Sequence, residues 1–84
     1  MYHKILDFFA GKRIAILGFG MEGKSTYRFI RRYMKDISLT VIDQKNMQLE
    51  NEALFSLDHS LSFVYGEHYL ENLEKYDVIM KSPG

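Results

Sequence analysis

The chain has 84 residues, which suffices for one domain, and we expect residues 1–84 to form it. Apolar residues make up 46% of the chain and aromatic residues 14%, which excludes the disordered class. The zero net charge argues against a nucleic-acid partner, and the lack of cysteine excludes disulfides and thiolate metal sites. No run approaches the roughly 20 apolar residues that span a bilayer, so we expect no membrane insertion and a cytoplasmic protein.

Helices and strands are predicted to alternate along the chain. Residues 2–10 have the pattern of a short helix packed under a sheet, and Gly11 closes it. Apolar residues then recur every three or four positions from Thr26 to Ile37, which predicts an amphipathic helix. Weaker helices are predicted at 47–57 and 69–76. Four runs rich in β-branched residues are predicted as strands, at 12–17, 39–42, 61–65 and 78–80.

This order of elements predicts an α/β, Rossmann-like fold with three layers. Strands that alternate with helices form parallel sheets with right-handed crossovers. A switch between the first and fourth strands gives the strand order 3-2-1-4, and ligands of such sheets bind beyond the carboxyl ends of the strands. Because the last residue follows the fourth strand closely, we expect the chain to be part of a longer protein.

A glycine-rich segment follows the first strand and opens the amphipathic helix. Gly18, Gly20 and Gly23 have the G-x-G-x-x-G spacing of dinucleotide-binding folds. In that fingerprint the first glycine makes a tight turn, the second lets the backbone approach a diphosphate, and the third lets helix and strand pack closely. A purely structural turn needs one glycine rather than three. The segment therefore predicts a diphosphate-binding loop at a helix N-terminus.

The same residues are compatible with three ligands. Gly18 and Gly23-Lys24-Ser25 also satisfy the P-loop pattern of nucleotidases. Asp43 lies twenty residues after the third glycine, where NAD-binding domains place the acid that accepts from the ribose hydroxyls. That carboxylate can equally accept the N3–H of a uracil, with Gln44 or a backbone N–H donating to the neighbouring carbonyl. The residues alone favour NAD in an oxidoreductase, and their spacing does not separate it from a uracil nucleotide.

Three segments, taken together, resemble a known family. They are residues 11–25, Val41-Ile42-Asp43 and residues 76–84, which read Tyr-Asp-Val-Ile-Met-Lys-Ser-Pro-Gly. Their order and spacing resemble the first domain of the MurD ligases, and the resemblance spans nearly the whole chain. Its most specific part is Ser-Pro-Gly after a hydrophobic strand preceded by Tyr-Asp. The resemblance implies a nucleotide-sugar-binding domain of an ATP-dependent ligase of peptidoglycan biosynthesis.

The resemblance also implies how the ligand, UDP-N-acetylmuramoyl-L-alanine, is held. The diphosphate would border the glycine loop, the uracil would meet the acid after the second strand, and the sugar-phosphate would touch the Ser-Pro-Gly turn. Glu22 departs from the family, which often has a small hydroxyl residue there, and we expect it to point outward. The implied substrate-binding residues are Gly18, Gly20, Met21, Glu22, Gly23, Asp43, Gln44, Ser82 and Gly84.

By the same resemblance, this chain is not expected to be active alone. ATP, magnesium and D-glutamate would be bound by two further domains that are absent from this sequence. No catalytic residue, cofactor or metal ligand is predicted within 1–84, and His3, His59 and His68 lack metal-site spacing. A basic stripe on the amphipathic helix is predicted to be a solvated face, with members Lys24, Arg28, Arg31, Arg32 and Lys35.

Overall fold

The computed structural model describes residues 7–81. Its centre is a four-stranded, all-parallel sheet in the order β3-β2-β1-β4. The strands are β1 (Ile14–Leu17), β2 (Leu39–Ile42), β3 (Leu61–Val64) and β4 (Val78–Lys81). The α/β class and the strand order predicted from the sequence are both confirmed.

One long helix and several short helical pieces connect the strands. Helix α1 (Met21–Tyr33) joins β1 to β2, α2 (Met47–Glu50) and α3 (Glu52–Phe55) lie between β2 and β3, and a 3-10 turn (Leu73–Lys75) precedes β4. Residues 7–9 are helical, in agreement with the predicted N-terminal helix, of which residues 2–6 lie outside the described range. Within the described chain, no helix is long and apolar enough to cross a membrane.

Two predicted helices are not continuous α-helices. The first, at 47–57, divides at Asn51, whose φ of −122° and ψ of 30° leave the helical region. The Asn51 side chain donates to the Met47 carbonyl oxygen at 2.8 Å and so competes with helical hydrogen bonds. The second, at 69–76, is a series of turns with one 3-10 segment, because Asn72 adopts a left-handed backbone with φ 64° that an α-helix does not continue.

One face of the sheet carries the hydrophobic core. The strands are paired in register, so every second residue of each strand points to this face and forms rows across the sheet. Helix α1 covers the rows with its apolar side. The most buried residues of this core are Ile14, Ile16, Phe19, Tyr27, Ile30, Leu39 and Val41.

On the opposite face of the sheet, two residues of a turn region lie beside the strand ends. Ile42 is buried on this side, and Tyr69 and Leu70 line a cavity with it and with Leu17. These two lining residues belong to the connection between β3 and β4. The third layer of the predicted architecture is therefore made, as far as residues 7–81 go, of turns and a 3-10 segment.

A largely buried ion pair joins α1 to the loop before β3. Arg31 Nε donates to Asp58 Oδ2 at 2.7 Å, and the two side chains are only 12% and 10% exposed. The same guanidinium donates to the backbone carbonyls of Met34, Ile37 and Ser60. The prediction of a solvated side chain at Arg31 is therefore wrong, because this long side chain reaches three other backbone segments. Other stripe members are exposed, namely Arg28, Arg32 and Lys35.

Tyr27 makes the stability of this fold sensitive to high pH. Burial and a hydrogen bond donated to Asp58 at 2.5 Å raise the pKa of the Tyr27 phenol from 10.0 to about 12. The raised pKa contributes stability fully below the unfolded pKa, and this contribution is lost as the pH rises from 10 to 12. We expect the free energy of unfolding to fall by about 2–3 kcal/mol across that window. Urea titrations of Tyr27→Phe, which has no phenol to ionise, should show a shallower fall, and equal slopes would contradict this assignment.

Candidate functional site

The carboxyl ends of three strands form one side of a cavity of about 340 Å³. This volume lies at the lower end of the range for small-ligand pockets. The described residues that line it are Leu17, Gly18, Ile42, Asp43, Gln44, Tyr69, Leu70 and Lys81. Gly18, Asp43 and Gln44, all predicted as site residues, therefore lie together at one edge of the sheet.

The first glycine of the loop makes the turn after β1. Gly18 has φ 89°, in the left-handed region that glycine adopts without strain, and its N–H donates to the Ile42 carbonyl oxygen at 2.7 Å. The next residue, Phe19, is fully buried, with its ring 6.0 Å from that of Tyr27 and 5.4 Å from that of Phe55. A backbone bond to β2 and aromatic packing under α1 together hold this turn in place.

Helix α1 begins immediately after the second glycine. Its first backbone hydrogen bond runs from the Lys24 N–H to the Gly20 carbonyl oxygen at 3.0 Å. The N–H groups of Met21, Glu22 and Gly23 precede that bond and point out of the helix end. No described side chain caps this end, so these donors and their partial positive charge are available to an anion.

The second and third glycines differ in their surroundings. A Cβ on Gly23 would lie 2.2 Å from the carbonyl oxygen of Gly18, so the close approach of α1 to the loop requires glycine there. A Cβ on Gly20 would meet no atom within 4 Å. Close packing therefore explains why residue 23 is a glycine, but it does not explain the glycine at position 20. This difference matches a fingerprint in which the third glycine closes the helix onto the strand and the second leaves room for a diphosphate.

The start of α1 also bears on the P-loop alternative. In a P-loop, the residues between the two outer glycines wrap the phosphates as an extended nest of N–H groups. Here Met21 and Glu22, which lie between Gly18 and Gly23, are already helical. The geometry thus favours the dinucleotide type of loop. Both helical residues are exposed, Met21 by 85%.

Asp43 is hydrogen-bonded to the glycine loop through its carboxylate. Its Oδ2 accepts from the Phe19 N–H at 2.9 Å, and its Oδ1 accepts from the Lys45 N–H at 3.0 Å. The first bond connects the end of β2 to the turn after β1. An ionised carboxylate has about four acceptor sites, so these two backbone bonds leave capacity for a ligand in the cavity. Asp43 therefore positions the loop and also lines the cavity.

The sequence did not identify the far wall of the cavity. Gly66, with φ 100°, donates from its N–H to the Gln44 carbonyl oxygen at 2.9 Å, and its own carbonyl accepts from the Tyr69 N–H at 3.3 Å. These bonds hold Tyr69 and Leu70 beside the strand ends. Lys81 completes the lining from the end of β4. Lys81 could have been predicted as a lining residue from the sequence, because it lies at the carboxyl end of a predicted strand, as Asp43 does.

The remaining predicted positions are distributed as follows. Ser82 and Gly84 lie outside the described residues, as does His3. His59 and His68 are exposed and belong to different segments. Across residues 7–81 there is no group of three or more histidine, aspartate or glutamate side chains arranged to hold a metal ion.

Comparison with known proteins relates the chain to one group of enzymes. A family model described as "Mur ligase MurD-like, N-terminal domain" matches residues 12–84. The chain is 30% identical over 83 residues to the UDP-N-acetylmuramoylalanine--D-glutamate ligase of Clostridium botulinum (strain Okra / Type B1), covering 98% of this chain and 18% of that protein.

A second relative comes from a different organism. The chain is 31% identical over 77 residues to the ligase of the same name from Syntrophus aciditrophicus (strain SB), covering 89% of this chain and 17% of that protein. No solved structure matches. The chain therefore spans less than one fifth of the length of the curated relatives that it matches.

Proposed function

Because this chain belongs to the MurD-like Mur ligases and corresponds to their N-terminal domain, we propose that it binds the UDP-sugar substrate of a peptidoglycan ligase. The proposed ligand is UDP-N-acetylmuramoyl-L-alanine, and the names of the relatives contain UDP-N-acetylmuramoylalanine. The observation that carries the proposal is the cavity in which Gly18, Asp43 and Gln44 meet at the carboxyl ends of parallel strands.

Each part of the nucleotide has a chemical partner in this proposal. The diphosphate lies at the amino end of α1, where the space beside Gly20 is open and three N–H groups point outward. The uracil N3–H donates to an acceptor site of Asp43 that the backbone leaves available, and Gln44 lies next to it. The sugar-phosphate extends towards Ser82 and Gly84.

The domain's contribution to the reaction is positioning. In the complete ligase, the substrate carboxylate takes the γ-phosphoryl group of ATP to give an acyl-phosphate and ADP, and the amine of D-glutamate then displaces phosphate. ATP, magnesium and D-glutamate bind outside this domain. Binding energy from the remote nucleotide holds the reacting carboxyl in place, which lets non-reacting groups contribute to rate.

Calorimetric titration of the chain with UDP, UDP-N-acetylmuramate, NAD and ATP tests this function. We expect the two uridine nucleotides to bind more tightly than NAD and ATP. Tighter binding of NAD would contradict the proposal and support a dehydrogenase domain. Magnesium-dependent ATP hydrolysis that requires Lys24 would contradict it in favour of a P-loop enzyme.

Asp43→Ala is expected to weaken UDP-sugar binding ten- to a hundredfold, because a hydrogen bond to a charged acceptor contributes about 1.5–3 kcal/mol. The sequence alone predicted that this change would leave the fold unaffected. Since the carboxylate also accepts from Phe19, we now expect the melting temperature to fall as well.

Asp77→Ala provides the matched control. Asp77 accepts from the Arg13 backbone N–H at 2.8 Å, at the amino end of β4, so its loss also removes a bond from an acid to the backbone. We expect Asp77→Ala to lower the melting temperature while leaving UDP-sugar affinity unchanged. If the two variants lose affinity equally, the effect of Asp43→Ala reflects stability, and Asp43 does not contact the ligand.

A further inference from the structure

We propose that Lys81 binds the phosphates of the nucleotide and gives the cavity its preference for UDP over uridine. This inference rests on the proposed function of the same cavity. Among the described lining residues, Lys81 supplies the cationic side chain and Asp43 the carboxylate. A nucleotide fits these two residues, because its neutral base can donate a hydrogen bond to the carboxylate and its charged diphosphate can pair with the lysine.

The strand order places these two side chains on opposite sides of the glycine loop. β1 leads into the loop and lies between β2 and β4, so Leu17 pairs with Ile42 on one side and with Lys81 on the other. Neighbouring strands lie about 4.8 Å apart, which separates the ends of β2 and β4 by roughly 10 Å. A nucleotide whose base lies at Asp43 and whose diphosphate lies at the amino end of α1 extends over the end of β1, on the side where β4 ends at Lys81.

The other charges around the glycine loop do not balance the negative charge of a diphosphate. Glu22 is exposed in the first turn of α1 and opposes an anionic ligand. The helix end offers a charge equivalent to only about half an elementary charge. The Lys81 side chain is exposed, and within residues 7–81 it makes no ion pair or hydrogen bond, whereas Lys45 is paired with Glu50 at 2.6 Å. Lys81 therefore supplies a full positive charge that no described protein group neutralises.

Titrations of the chain and of Lys81→Met with uridine and UDP as probes test this assignment. The variant is expected to lose about tenfold in UDP affinity, the lower range for a hydrogen bond to a charged group, and to bind uridine as the parent does. Raising the salt should weaken UDP binding to the parent more than to the variant, because salt screens exposed charges. Lys81→Arg keeps the charge and is expected to retain most of the preference for UDP.

Lys75→Met is the matched control for loss of a lysine. Lys75 lies at the opposite edge of the sheet, beside the Tyr76 ring and in a second cavity with Arg13, so its loss is expected to leave both affinities unchanged. Lys24→Met tests the other cation near the loop. The assignment is overturned if Lys81→Met weakens uridine and UDP equally, or if only Lys24→Met weakens UDP.

The possible failures are distinguishable from one another. A parent chain that binds no uridine nucleotide overturns the proposed function, and this inference with it. A parent chain that binds UDP as tightly as its Lys81→Met variant overturns only the role of Lys81. Circular dichroism melts of each variant separate loss of a ligand contact from loss of the fold.

Discussion

Gly23→Ala is expected to lower the melting temperature of the chain by roughly 10–20 °C. The new Cβ would lie 2.2 Å from the carbonyl oxygen of Gly18 and 3.0 Å from its carbonyl carbon. Both are backbone atoms, so relief requires α1 to move away from the turn after β1. Overpacking of this kind costs about 1–3 kcal/mol, or more where the backbone must shift. Each kcal/mol shifts the melting temperature of a domain this small by about 4–8 °C.

Gly20→Ala is the matched comparison within the same loop. Its Cβ would meet no atom within 4 Å, and Gly20 already has φ −76°, which alanine tolerates. We expect a melting temperature close to that of the parent but weaker UDP binding, because the added methyl group occupies the space through which a diphosphate approaches. Parent-like affinity in Gly20→Ala would argue against this placement of the diphosphate. An unshifted melt of Gly23→Ala would argue against the close contact of α1 with the loop.

Asp58→Ala is expected to destabilise the chain by about 3–5 kcal/mol. The change leaves the Arg31 guanidinium, only 12% exposed, without its carboxylate partner, and it removes the acceptor of the Tyr27 hydroxyl. An uncompensated buried charge costs far more than the net contribution of the pair itself. Since small domains are stable by only about 5–15 kcal/mol, urea unfolding should show a large shift of the midpoint.

An exposed ion pair in the same chain provides the control for this result. Lys45 and Glu50 are paired at 2.6 Å, but their side chains are 68% and 46% exposed. Glu50→Ala is therefore expected to cost less than about 1 kcal/mol. Adding Arg31→Met to Asp58→Ala should recover part of the loss, since it removes the unpaired charge. An Asp58→Ala cost no larger than that of Glu50→Ala would show that the Arg31 pair is solvated.

The sheet could be predicted from the sequence because its strands have a local sequence pattern and their order follows a general rule of handedness. Parallel strands read as continuous apolar runs, and such runs identified β2 to the residue and the other three strands within two residues at each end. The strand order followed from the right-handedness of crossovers, which holds for nearly all such units. The glycine loop and Asp43 were placed together correctly because both directly follow strands of that sheet.

The remaining features depend on tertiary contacts that residue spacing does not encode. Leu70, Leu73 and Tyr76 recur every third residue, a period that turns and 3-10 segments satisfy as well as a helix does. Arg31 falls on the charged stripe of α1, yet its carboxylate partner Asp58 is 27 residues away in the chain. The Tyr69 side of the cavity likewise depends on the backbone hydrogen bond from Gly66 to Gln44, which joins two loops and which no sequence motif predicts.

The order of the strands has a consequence for how the chain is made. β1 pairs with β2, the next strand along the chain, but its other neighbour, β4, lies far along the chain: Arg13 and Asp77, which join β1 to β4, are 64 residues apart. During translation, one edge of β1 therefore stays open until β4 has emerged from the ribosome. Open apolar strand edges associate with other chains, so we expect aggregation to be favoured during this interval.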